Sequence, residues 1–181
     1  MFLYGKILMV ALVGGVTLRA DRVTEEDFFV VDKGYNYDIR FTTSLSAEAV
    51  SDILFEFEHV NKYTFDTEEV SLVSSQESSY VVMVEFSRLF YSFQSVFQRT
   101  RFGDSIIAEL KQFSHNRALL PELVSSRSVY RVIDNGDHRK VYFNQIVRFT
   151  DSINSVYMRM IQGGVRKFKD KLLEYIAEEE L

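Results

Sequence analysis

The chain contains no cysteine. Disulfides, a thiol nucleophile and thiolate metal sites are thereby excluded, while either redox compartment stays open. A single proline in 181 residues argues against disordered linkers and low-complexity tracts. Tryptophan is absent, so Phe (16) and Tyr (10) supply the aromatics. The three histidines, His59, His115 and His138, stand alone, without the spacing of a metal-binding pair. There is no phosphate-cradling glycine loop and no Gly-x-Ser-x-Gly elbow. No catalytic residue, metal ligand or cofactor is assigned. The apolar run Ile7–Leu18 falls short of the roughly 20 residues that a helix needs to span a bilayer.

What is present is a large apolar fraction, 46%, enough for a sizeable core in one domain plus a short extra segment. The net charge is −5, with the acids scattered apart from Glu178-Glu179-Glu180. The clustered bases Arg166, Lys167, Lys169 and Lys171 alternate with acids near the C-terminus, as on a solvated helix face. Nucleic acid is therefore not an expected partner.

Residues 1–20 read as a signal peptide: Lys6, then the apolar run, then Ala20 before a cut. Gly15 is a second cut point, and the alternative is a buried strand or helix. Cleavage after Ala20 would remove Lys6 and Arg19 and take the charge from −5 to −7. The protein would then be secreted or periplasmic; with the N-terminus retained it would be cytoplasmic. Residues 21–34 read as an N-terminal extension. Its segment Phe28-Phe29-Val30-Val31 is apolar enough to dock on the domain or to begin the first strand early.

From Tyr35 the periodicities come in a telling order. Tyr35–Leu45 alternates, with Tyr35, Tyr37, Ile39 and Phe41 on one face. Ser46 is a good N-cap, and Val50, Ile53, Leu54 and Phe57 form one helical stripe that Val60 and Tyr63 extend. Alternating segments follow at Glu68–Ser74, Tyr80–Phe90, Tyr91–Phe102, Ser105–Phe113, Arg127–Ile133 and Arg139–Thr150, with turns at Gly103-Asp104 and Asn135-Gly136. His115–Ser126 is expected as a loop or short helical piece around Pro121. A closing helix, Ile153–Glu180, carries Ile153, Val156, Tyr157, Met160, Ile161, Val165, Phe168, Leu172 and Ile176 on its apolar stripe. Gly163-Gly164 in its middle implies either a backbone packed very close, the simpler expectation, or room left for a ligand.

This order resembles the helix-grip fold of the START/polyketide-cyclase/birch-allergen-like (SRPBCC) superfamily over roughly Tyr35–Ala177. Leu45-Ser-Ala-Glu-Ala-Val50 is similar to its strand-to-helix junction, Tyr130-Arg-Val132 with Val141-Tyr-Phe143 to its penultimate hairpin, and Phe168–Ile176 to its closing helix. The resemblance implies an α+β domain over residues 35–181. A curved antiparallel sheet of about seven strands would wrap a long C-terminal helix, and a cavity between them would take up a lipid, sterol, quinone or polyketide. Rival folds are a lipocalin-like barrel, which lacks the early helix, and a cystatin-like cone, which lacks so long a final helix. The superfamily has no universal catalytic motif to carry over.

Polar residues on apolar strand faces are the candidate chemistry. Gln145 shares a face with Val141, Phe143, Val147 and Phe149, and would grip a ligand head group or bond a neighbour. Arg99 follows Tyr91, Phe93, Ser95 and Phe97; it would bind an anion at the cavity mouth or, the simpler expectation, be solvated as the strand leaves the core. Glu85 and Glu109 are out of phase with the inward faces. The expected cavity set is Gln145, Arg99, Tyr80, Phe86, Phe93, Phe97, Tyr130, Phe143, Tyr157, Met160 and Gly164. The expected protein is a monomer that binds a hydrophobic small molecule, with transient membrane contact. An enzyme of cyclase or aromatase type and an interaction module with a filled core are the alternatives.

Overall fold

The computed structural model describes residues 23–64, 69–88, 91–116 and 121–181. The expected signal peptide lies outside the described residues. Among the described residues no helix is long and apolar enough to cross a membrane.

Eight strands form one antiparallel sheet in the order β1-β2-β8-β7-β6-β5-β4-β3. They are β1 (Val23–Val31), β2 (Gly34–Thr43), β3 (Glu69–Gln76), β4 (Ser79–Arg88), β5 (Tyr91–Phe102), β6 (Ser105–His115), β7 (Leu123–Asp134) and β8 (Arg139–Phe149). Helices α1 (Ala47–Phe55) and α2 (Phe57–Thr64) connect β2 to β3, and α3 (Ser155–Glu179) ends the chain. The element order is the one the periodicities predict, with two additions. Residues 21–34 are not merely an extension: they contain β1, which pairs with β2 along its length, so the sheet has eight strands rather than about seven. β7 also starts earlier than predicted, at Leu123, inside the expected loop.

Local chemistry explains the elements. Tyr35, Tyr37, Ile39 and Phe41 are all buried, as alternation requires of a strand with one face on the core. Ser46 caps α1, its Oγ accepting from the Ala49 N–H at 3.1 Å. Extended backbone at Glu56 (ψ 135°) separates α1 from α2. Asn154 caps α3 in the same way, accepting from the Tyr157 N–H at 2.9 Å. Gly34 is demanded by a close approach, because a Cβ there would sit 2.0 Å from the Val147 carbonyl oxygen of β8. Bulges in the β5/β6 and β7/β8 ladders bend the strands.

The core lies at one end of the sheet. Val50, Ile53, Leu54 and Phe55 of α1 and Leu172, Leu173, Tyr175 and Ile176 of α3 pack there with Phe41, Ile106, Val132 and Val141 of the strands. Tyr63 of α2 meets Tyr175 and Phe168 of α3, each with ring centroids 6.1 Å apart. Glu180 fastens the end of α3 to the end of β2, accepting from the Thr43 hydroxyl at 2.5 Å and the Ser44 N–H at 2.9 Å. Lys169 reaches Glu26 of β1 at 2.6 Å.

Candidate functional site: a cavity between sheet and helix

Strand register puts one row of inward residues across the sheet: Tyr37, Gln145, Ser128, Ala108, Arg99, Tyr80. Each pairs with the next, Tyr37 with Gln145, Gln145 with Ser128, Ala108 with Ser128 and Arg99, and Arg99 with Tyr80. The middle of this row is small. Ser128 and Ala108, with Ser126 in the next row, do not reach the helices, and a cavity of about 270 Å³ remains above them. Its walls are Tyr35, Phe57, Val60, Val82, Phe97, Tyr130, Phe143, Val165 and Phe168, with Gly164 on the side of α3. That volume is close to the lower bound of small-molecule pockets, roughly 300 Å³.

Gln145 and Arg99 stand on opposite sides of the row, three strand spacings apart, or about 14 Å along a flat sheet. Gln145 is half-buried, and its Oε1 accepts from the Tyr35 hydroxyl at 3.2 Å. That contact leaves the amide nitrogen for the cavity. Arg99 is 6% exposed, so the solvated reading is corrected. The strand does not leave the core at Arg99 because α1 and α2 cover it. Arg99 Nη1 donates to the Leu54 carbonyl at 2.7 Å, and Nη2 to the Tyr130 hydroxyl at 3.2 Å. The guanidinium also lies 5.1 Å from the Tyr130 ring centroid. Tyr80 Oη and Thr64 Oγ1 are buried without a hydrogen-bond partner among the described residues.

Burial pushes the phenols of Tyr35, Tyr80 and Tyr130 upward, with Arg99 opposing the rise at Tyr80 and Tyr130. Burial works against the charge on Arg99, but the surrounding phenols of Tyr130, Tyr63 and Tyr80 outweigh it, and the net direction is upward. The cavity wall therefore holds neutral phenols and one fixed cation at neutral pH.

The structure gathers seven of the expected residues at this cavity: Gln145, Arg99, Tyr80, Phe97, Tyr130, Phe143 and Gly164. Four do not line it. Phe86 and Phe93 stack at 5.2 Å on the same face, but Phe93 is six residues from Arg99, about 20 Å along the strand, and the pair lines a separate recess with Glu85 and Asn116. Met160 is 67% exposed and Tyr157 half-buried. The first half of α3 carries apolar residues on two phases, and it turns Met158, Ile161 and Val165 inward rather than Tyr157 and Met160. Close packing at Gly163-Gly164 is also corrected: a Cβ at either glycine would meet nothing within 4 Å. The expectation for Glu85 and Glu109 agrees with the structure. Glu85 is exposed, and Glu109 binds Lys111 and Arg127, which lower its pKa.

Sequence reasoning missed Ser126, Ser128 and Ala108, whose smallness makes the void. The signal was there as small residues at alternate positions of two strands destined to pair.

No protein-family model and no curated protein matches the sequence. Solved structures do match the fold. The Zhui aromatase/cyclase of a Streptomyces species superposes with a TM-score of 0.62 at 11% identity, over 80% of this chain and 92% of that one. A STAR-related lipid transfer protein fragment from Xanthomonas axonopodis gives 0.61 at 11%, over 86% and 97%. Ginseng major latex-like protein 151 from Panax ginseng gives 0.57 at 9%, over 82% and 99%. In topology, and in these likenesses, the chain has the helix-grip fold of the START/polyketide-cyclase/birch-allergen-like superfamily.

Proposed function

We propose that the protein binds and carries, or senses, a hydrophobic small molecule in the cavity between sheet and α3. One observation carries this reading: a mostly apolar cavity of about 270 Å³ persists at the centre of a sheet whose other end is tightly filled. Each ligand methylene buried there contributes about 0.8 kcal/mol. A lipid transfer protein and an aromatase/cyclase among the structures of the same fold support it.

A volume near the lower end of small-molecule pockets suits a ligand whose enclosed part is a small ring system or short chain. The carrier reading is preferred to the cyclase because none of the described residues lining the cavity is His, Asp or Glu. The phenols that do line it are held protonated by burial, which suits hydrogen bonding to a ligand better than accepting a proton at neutral pH.

Native mass spectrometry of the protein from its own host, followed by organic extraction, tests the reading. A stoichiometric hydrophobic adduct is expected. An apo mass that persists after incubation with a host lipid extract would overturn it. Edman sequencing of the same material tests export, with Asp21 the expected first residue.

A further inference from the structure

We propose that the ligand is a lipophilic monoanion, a compact carboxylic acid, whose charged end docks against Arg99 and the Tyr80 hydroxyl. This rests on the binding reading above and names the ligand class.

The warrant is an imbalance of donors over acceptors. Arg99 is buried, and no carboxylate lies within ion-pairing distance of it among the described residues. Burying a charge without a counter-charge costs several kcal/mol. Its closest acceptors are one carbonyl and one phenol, with the Tyr63 and Tyr80 phenols also against it, and all of these are neutral. The Leu54 carbonyl belongs to the last turn of α1, where the helix dipole supplies about half a negative charge. Tyr130 takes the guanidinium on its oxygen, so its own O–H proton is left to donate. Tyr80, cross-strand partner of Arg99, buries a hydroxyl that faces the guanidinium but meets no hydrogen-bond acceptor among the described residues, so its proton too is left to donate. One guanidinium and two phenolic O–H groups thus converge at one end of the cavity, where an anionic oxygen would satisfy them together.

The charge count selects a monoanion. Arg101 is the next cation along β5, but it is ion-paired with Asp52 at 3.0 Å and Glu56 at 3.4 Å and does not line the cavity. A phosphate dianion would leave one negative charge buried and unmatched; a carboxylate balances Arg99 one to one. Opposite this pole, no charged side chain lines the cavity as far as Gln145; the Ser126 and Ser128 hydroxyls interrupt a mostly apolar lining.

Arg99 also caps α1, so Arg99→Met tests stability and recognition together. Tyr80→Phe separates them, because the hydroxyl it removes faces Arg99 but holds no helix or backbone group, and the variant is expected to fold normally. The full mature chain is titrated calorimetrically at neutral pH with two matched pairs, naphthoate and naphthamide, decanoate and decanamide. Each acid should bind at least about tenfold more tightly than its neutral amide, the scale of a charged hydrogen bond. Tyr80→Phe should weaken the acids several-fold and the amides less, since a hydrogen bond to a charged oxygen is the stronger one, and folded Arg99→Met should abolish the preference. Equal binding of acid and amide would overturn the anion assignment and leave the cavity reading standing. Binding of none of the four would overturn both.

Discussion

The two halves of α3 run along one sheet and meet opposite fates. In the C-terminal half, Leu172, Leu173, Tyr175 and Ile176 are buried against strands and α1, and Glu180 is bonded to the end of β2. In the N-terminal half Met158 is the one buried side chain; Ile161 and Val165 are only partly so, Val156 and Met160 are 68% and 67% exposed, and Gly163 and Gly164 touch nothing a Cβ could meet. The residues below differ in the same way. Under the first half lie Ser126, Ser128 and Ala108; under the second lie Phe41, Ile106 and Val141. The difference teaches that stability and capacity are separated along one helix: one end anchors the fold, and the other roofs a space.

Alkali should erase that division and have the largest effect. Tyr37 and Tyr63 in the filled region, and Tyr35, Tyr80 and Tyr130 at the cavity, all have phenols raised mainly by burial. A raised folded-state pKa contributes stability that is fully present below the unfolded value of about 10 and is lost as pH climbs above it. Tyrosinate absorbance and loss of helical circular dichroism should therefore rise together above about pH 10. An earlier tyrosinate step with the helices intact would show that the cavity phenols titrate in the folded state.

Next in size is Leu172→Ala in the anchored half. It should cost about 2–5 kcal/mol in urea unfolding, the range for truncating a buried leucine. A loss below 1 kcal/mol would show that the two halves are equally loose. Ala108→Leu sharpens the comparison from the other side. It fills the floor of the cavity and should lower ligand affinity by about tenfold or more while the protein stays folded. Unchanged affinity would place the ligand elsewhere. Gly164→Ala should raise stability by about 1 kcal/mol, since alanine is the better helix former and its methyl meets no atom. Smallest is Met160→Ala, expected within about 0.5 kcal/mol of the parent; a core-sized loss would contradict its exposure.

The architecture was readable because period-2 and period-3.6 patterns declare themselves locally, as in Tyr35–Phe41 and Val50–Leu54. β1 was not, because Glu25, Glu26 and Asp27 break the apolar alternation, a pattern tolerated only because β1 is an edge strand. For the site, alternation put Tyr80, Gln145 and Phe143 on the inward face, where they lie, but it could not show that α1 and α2 extend over Arg99, for which solvation was the simpler expectation. It could not say how far along the strands the helices reach, which separates Phe97 from Phe93. Nor could it choose between two apolar phases in the first half of α3, and there it chose Met160 wrongly. Of the two roles open to Gln145, the bond to a neighbour is present, from the Tyr35 hydroxyl. That bond makes Gln145→Leu cost about 1 kcal/mol as well as affinity.

The pairing of β2 with β8 has a kinetic consequence. Arg148 donates to the Tyr35 carbonyl 113 positions earlier, and the ladder joins the second strand to the last. Closing so long a loop costs chain entropy before any contact rewards it, which slows folding. During synthesis β2 has only β1 to pair with until β8 appears. The sheet is joined into one by its last strand, so β1 and β2 stay apart from the β3–β7 meander until β8 is made.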